Sequence, residues 1–193
     1  MIAYKLGKNL YLNITNRCSS NCSFCLRNLG PGVGGYKLWL DREPTVEEII
    51  KAVGDPSGYE QVVFCGYGEP LMRLDVVLEV SRYLKQKGAY VRIDTNGQAN
   101  LIHGKNIVPL LKGLVDAVSI SLNAESPQKY DKLCRSEFGE KAYESILDFA
   151  KECVKYIPKV ILSVVDLPGI DIEKCRHIAR DIGAELRVRP YLK

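Results

Sequence analysis

Short apolar runs and amphipathic stretches alternate along this chain with little interruption. The runs "NLYLNIT" (9–15), "QVVFC" (61–65), "AYVRIDT" (89–95), "AVSISL" (117–122), "KVILSVV" (159–165) and "ELRVRP" (185–190) are rich in strand formers. Between them lie "TVEEIIKAVG", "LDVVLEVSRYLKQKG", "IVPLLKGL", "YESILDFAKECVKY" and "DIEKCRHIARDIG", which read as helices. In the second of these, Leu74, Val77, Leu78, Ser81 and Leu84 recur near the helical period, and the stretch ends in lysines and Gly88. Thr45 followed by Glu48 forms a capping box at the start of the first. Six strands alternating with five helices predict right-handed βαβ units and a mostly parallel sheet, an α/β fold. The pattern leaves open whether the sheet is doubly wound or a partial barrel. In both, a site belongs at the carboxyl ends of the strands.

The sequence tests that placement. A cysteine cluster follows the first strand, "CGYGEP" ends the second, "DTNG" the third and "SLNAES" the fourth. The unusual polar and glycine chemistry therefore gathers on one rim. The long Gly-rich connection 26–44 leaves the cysteines directly, and loops of such length are commonly functional. Its "GPGVGG" lacks the Lys-Ser/Thr pair of a phosphate loop. Its apolar "YKLWL" predicts a cover folded back over the rim, with Tyr36, Trp39 and Arg42 facing a substrate; the bland alternative is aromatic packing on a helix.

The chain has 193 residues and reads as a single domain spanning 1–193. Its net charge of +4 is spread without any long block of like charge, which gives no nucleic-acid signal. No apolar run is long enough for an ordinary membrane span, and the first residues lack the features of a signal peptide. Seven cysteines, an odd and crowded set, point to a reducing cytoplasmic setting with metal-bound thiolates rather than a disulfide framework.

Three of those cysteines, Cys18, Cys22 and Cys25, fall in "NRCSSNCSFCLRN" at spacings x3 and x2. A closed zinc site needs four ligands, and Cys65 or Cys134 would have to supply the last. An iron–sulfur cube bound by three thiolates fits the count and leaves one iron open. The motif resembles the signature of the radical S-adenosylmethionine (SAM) superfamily, and Phe24 matches the aromatic residue before its last cysteine. That resemblance implies a six-fold (β/α)6 partial TIM-like barrel, a [4Fe-4S] cluster and SAM as cofactors, and an external one-electron reductant of flavodoxin or ferredoxin type. It further implies reductive cleavage of SAM to a 5′-deoxyadenosyl radical that abstracts hydrogen from an unidentified substrate.

By the same resemblance, Gly66-Tyr67-Gly68-Glu69-Pro70 corresponds to a Gly-Gly-Glu-Pro motif that meets the SAM amino group, with glycines admitting the cofactor. Tyr67 stands where many members have glycine and would be strained at positive φ. Asp94, Thr95 and Asn96 would lie near SAM, and Asn96 with Gly97 make a turn. Ser119, Ser121 and Asn123 share one strand face and match ribose-contacting positions; backbone or water could serve them instead. Arg135 resembles an arginine that pairs with the SAM carboxylate, the alternative being a surface ion pair with Glu137 or Asp131. Cys134 on the rim could donate a hydrogen atom, whereas Cys153 and Cys175 read as core.

Within the superfamily, "VGGYKLWLDREPT" and "LNAESPQKYDKLCRSEFGE" resemble the small TatD-linked radical SAM proteins, which suggests a functional link to a TatD-type hydrolase. Two readings stand as alternatives. One is a glycyl-radical-type activating enzyme acting on a partner protein; the other is a non-catalytic iron–sulfur or zinc binding module.

Overall fold

The computed structural model describes residues 1–28 and 33–191. Seven strands form one sheet in the order β1 to β7: Ala3–Leu6, Asn9–Leu12, Gln61–Phe64, Val91–Thr95, Ala117–Ser121, Lys159–Val165 and Glu185–Arg189. β1 pairs antiparallel with β2, and every later pairing is parallel. A doubly wound sheet would reverse its strand order part-way. Here the order follows the chain without reversal, as right-handed crossovers that always step the same way require. The helices therefore cover one face, and the sheet curves around its other face as a partial barrel.

All six expected strands are present. The sequence reading missed β1, because "AYKL" is too short to separate from the Gly7 turn that follows it. The helices are α1 (Val46–Val53), α2 (Leu74–Gln86), α3 (Ala99–His103), α4 (Val108–Leu111), α5 (Pro127–Cys134), α6 (Lys141–Tyr156) and α7 (Ile172–Ile182). Thr45 and Glu48 make the expected reciprocal cap on α1. α3 and α5 were not expected. For α5 the signal was there: Ser126 caps Lys129 N–H and Pro127 occupies the first turn.

The core lies between the helices and the outer sheet face. Leu12, Phe64, Ile93, Val118, Ile120 and Leu162 from the strands meet Ile49, Val77, Leu84, Ile146 and Phe149 from the helices. Cys153 and Cys175 are fully buried in this layer, as expected. Burying such a layer at roughly 25 cal/mol per Å² of apolar surface is what holds the barrel wall in place. No helix among the described residues is long and apolar enough to cross a membrane.

Strand register decides which side chains face inward. Asp94 lies beside Ser119, Ser121 beside Ser163, Ser163 beside Arg187, and Val165 beside Arg189. Because neighbours in register share a face, a polar lining is carried across four strands to the last one.

Candidate active site

A cavity of about 440 Å³ opens at the carboxyl ends of the strands, within the roughly 300–1,000 Å³ usual for small-ligand pockets. One end is lined by Cys18, Cys22, Phe24 and Cys25. Gly66, Tyr67, Gly68, Asp94, Thr95 and Asn96 form the adjoining wall, followed by Ser119, Ser121, Asn123 and Ser163. The first two strands and the last add Tyr4, Tyr11, Arg187 and Arg189 to the lining. The structure thus brings together residues that the sequence scatters over more than half the chain.

The cysteine loop is held from beneath by a side chain that sequence reasoning overlooked. Gln98 is fully buried, and its Oε1 accepts from the hydroxyls of Ser19 at 2.8 Å and Ser136 at 2.9 Å. Its Nε2 donates to Ser20 Oγ at 3.0 Å and to Tyr130 OH at 2.8 Å. All four amide hydrogen-bonding positions of this one residue are used, tying the loop to α5. Backbone bonds reinforce the strap: Asn21 N donates to Cys134 O at 3.0 Å, Ser23 N to Leu133 O at 2.9 Å and Glu137 N to Ser19 O at 2.9 Å. The only sequence signal was a polar residue directly after the "DTNG" turn.

This strap corrects two expectations. Cys134 is not on the rim: it is fully buried under the loop, accepts from Asn123 Nδ2 at 3.5 Å, and shares a hydrogen bond with the Cys22 thiol. It does not line the cavity. Arg135 is the left-handed cap of α5, at φ 47°, and it is exposed away from the cavity wall. Its conformation turns the chain so that Ser136 can bridge to Ser20.

The "GYGEP" segment also differs from expectation in its workings. A Cβ on Gly66 would come within 2.0 Å of Asn13 Oδ1, and one on Gly68 within 2.4 Å of Thr15 O. These glycines are demanded by the chain's own loop after β2, whatever else they admit. Tyr67 keeps a negative φ, so it is not strained; its ring packs edge-on to Trp39 at 5.3 Å. The Glu69 side chain does not reach the cavity. Its carboxylate accepts from Leu71 N at 3.0 Å, Thr95 Oγ1 at 2.8 Å and Asn96 N at 2.6 Å, which joins the loop after β3 to the turn after β4. Burial pushes its pKa up to about 7, against the opposing pull of those hydrogen bonds.

Part of the 26–44 connection covers the rim. Leu26, Arg27 and Val33 line the cavity, and Leu38 is fully buried beside Tyr4 and Tyr67. Trp39 and Arg42 do not line this cavity: Trp39 is 56% exposed, and Arg42 forms an exposed pair with Glu48. Tyr36 packs on Tyr4 at 5.7 Å instead of lining the cavity. Leu29–Gly32, and with them the first half of "GPGVGG", lie outside the described residues.

The three cysteines are free thiols. Cys18 is pushed up to about 12, first by burial and then by the charge of Glu69. Burial raises Cys25, and the hydrogen bond with Cys134 raises Cys22. Metal binding here displaces protons. Among the described residues no three His, Cys, Asp or Glu side chains converge on a single ion, and neither Cys65 nor Cys134 completes such a set. A cube asks for something else, since each thiolate binds a different iron. The donor set fits such a cluster, and Asn96 Nδ2 approaches Cys18 Sγ at 3.8 Å as a donor to sulfur. The neighbouring wall fits a polar ligand. Asn123, at φ 60°, holds a buried Oδ1 with no hydrogen-bond partner among the described residues.

The profile of the radical SAM superfamily matches residues 12–182. The chain belongs to the radical SAM superfamily. It is 34% identical over 157 residues to a Methanocaldococcus jannaschii protein provisionally named a glycyl-radical enzyme activating enzyme, covering 75% of this chain and 60% of that protein. It is 30% identical over 168 residues to a GTP 3′,8-cyclase of Lactiplantibacillus plantarum, covering 86% of this chain and 47% of that one. The chain thus spans about half of the length of curated radical SAM relatives. The crystal structure of Streptococcus suis SuiB bound to S-adenosylmethionine superposes with a TM-score of 0.73 at 16% identity, covering 97% of this chain and 41% of that one. This likeness shows the shared radical SAM fold.

Proposed function

We propose that this chain is the catalytic core of an enzyme in which Cys18, Cys22 and Cys25 hold three corners of a [4Fe-4S] cluster whose fourth iron receives SAM. When bound, the pair supplies a 5′-deoxyadenosyl radical, formed with one electron from an external reductant, for hydrogen abstraction from a substrate. The observation that carries the reading is the continuity of one cavity from the three thiols to the Ser119, Ser121 and Asn123 wall. The backbone of Gly66–Gly68 and the side chain of Asn96 are the chain's own groups for orienting the amino-acid end of SAM. The serines and the orphaned Asn123 Oδ1 are suited to its ribose hydroxyls. Phe24 and the barrel wall keep bulk water from the reacting atoms.

A second reading concerns the substrate. The 34% identity to a protein named for activating a glycyl-radical enzyme favours a hydrogen taken from a partner polypeptide. The finer resemblance to TatD-linked proteins supports a functional association with a TatD-type hydrolase, and co-purification of the two would support it directly.

The test is anaerobic reconstitution with iron and sulfide, reduction with dithionite and addition of SAM. A cluster EPR signal that changes with SAM, together with 5′-deoxyadenosine in the quenched mixture, is the expected result. A colourless protein holding one zinc, or a cluster indifferent to SAM, overturns the proposal. Mass spectrometry of deuterium transfer from a labelled partner polypeptide then separates the two substrate readings.

A further inference from the structure

We propose that the part of the cavity lined by the last strand is a recognition pocket for an oxyanion, a carboxylate or phosphate group carried by the substrate, with Arg189 and Arg187 as its donors. The inference rests on the reading of this cavity as the reaction chamber.

Register puts both arginines on the inner face. Arg187 stands beside Ser163 and Arg189 beside Val165, Arg187 exposed at the open edge of the sheet and Arg189 half-buried. Both side chains line the cavity. Arg189 Nε is buried and has no hydrogen-bond partner among the described residues. A guanidinium carries five donors in a fixed fork, and one left buried and unpaired is costly. Burial weighs most against the charged state of Arg189; the charge of Asp94 opposes it, and the nearby Arg187 adds to it.

The wall compensates this only in part, through the charge of Asp94. Asp94 is the one carboxylate lining the cavity among the described residues. It is already engaged by Arg92, whose Nε donates to Asp94 Oδ1 at 2.9 Å and whose other arm reaches Gln61 Oε1 at 2.8 Å. An oxyanion entering between the two guanidiniums would relieve their mutual repulsion and accept from the fork. The stacked rings of Tyr4 and Tyr11, with centroids 5.3 Å apart, line the same cavity. They offer an apolar surface to the part of the substrate that carries the anion.

The test is isothermal titration of the reconstituted protein, with and without saturating SAM, using inorganic phosphate in one series and succinate in the other. We expect at least one probe to bind the wild type with one-to-one stoichiometry both with and without SAM. Arg189→Gln should weaken that affinity at least tenfold, Arg187→Gln at least threefold, and Arg189→Lys less than Arg189→Gln. Tighter phosphate points to a phosphorylated substrate and tighter succinate to a carboxylate. A thermal melt checks the fold of each variant, and Arg187→Gln, at the more exposed residue, keeps the test alive if Arg189→Gln does not fold. Failure of both probes to bind, equal affinity in the glutamine variants, or displacement of the probe by SAM overturns the inference. The SAM-dependent EPR change of the wild type is measured separately. A responsive cluster without anion binding therefore sinks the inference alone, whereas an unresponsive cluster sinks the functional reading.

Discussion

The side-chain nitrogen of Gln98 donates to the Ser20 hydroxyl at 3.0 Å, joining the turn after β4 to the middle of the cysteine loop. Through this contact and its bonds to Ser19, Tyr130 and Ser136, one buried amide fixes where three thiols can stand.

Replacing Gln98 with Leu keeps the volume but strips partners from four hydroxyls. Each buried group left unpaired costs about 1–3 kcal/mol, so the loss should reach several kcal/mol unless water enters. Thermal melting should show that loss, and iron bound after reconstitution should fall well below three quarters of the wild-type content. Full iron loading in Gln98→Leu would mean the cysteine loop holds itself.

Glu69 gives a pH dependence with a definite sign. Its folded pKa of about 7 lies above its ordinary 4.5, so the folded protein binds the extra proton between those values. This contribution to stability is fully present below about pH 4.5 and is lost as pH rises through 7. Glu69→Gln, which sets an amide N–H against the Asn96 N–H, should cost about 1–3 kcal/mol. The stability gap between wild type and variant should narrow from pH 5 to pH 8 in urea titrations of the metal-free protein. A gap that widens would show that the hydrogen bonds outweigh burial.

Arg135 separates a helix cap from a cofactor ligand. If its contribution is the left-handed turn at φ 47°, Arg135→Gly should leave stability unchanged or raise it by about 1 kcal/mol. SAM affinity, read from the EPR titration, should stay within twofold. A tenfold loss of SAM affinity in a normally stable variant would restore the carboxylate-pairing role that the resemblance suggested.

Gly68 and Gly58 make a matched pair. A methyl group on Gly68 would meet the carbonyls of Thr15 and Arg17 at 2.4 and 2.5 Å, whereas one on Gly58 meets nothing within 4 Å. Gly68→Ala should therefore cost about 1–3 kcal/mol or prevent folding, by overpacking against backbone that cannot yield. Gly58→Ala should be neutral, and equal melting temperatures for the two variants would contradict the close approach.

Much of this was legible beforehand because it is local. The six parallel strands, the capping box at Thr45, and the rim position of "CSSNCSFC", "GYGEP" and "DTNG" follow from apolar runs and turn residues close together in sequence. β1 and α5 escaped because short elements give weak periodicity, although Ser126-Pro127 signalled the latter. Roles that depend on direction could not be read. "KLCRS" looks like a rim loop in sequence, yet Cys134 turns inward under the cluster loop and Arg135 outward to solvent.

By itself the sequence determined the alternation of strand and helix, the edge on which unusual chemistry gathers, and the set of three thiols. Only the tertiary structure decided that Gln98 braces those thiols, that Glu69 joins two loops instead of lining the cavity, and that Arg187 and Arg189 line it from the last strand. Periodicity and turn chemistry act between near neighbours along the chain. Burial, register and hydrogen-bond partnership are set by residues tens of positions apart, and these come into contact only when the sheet closes around its inner face.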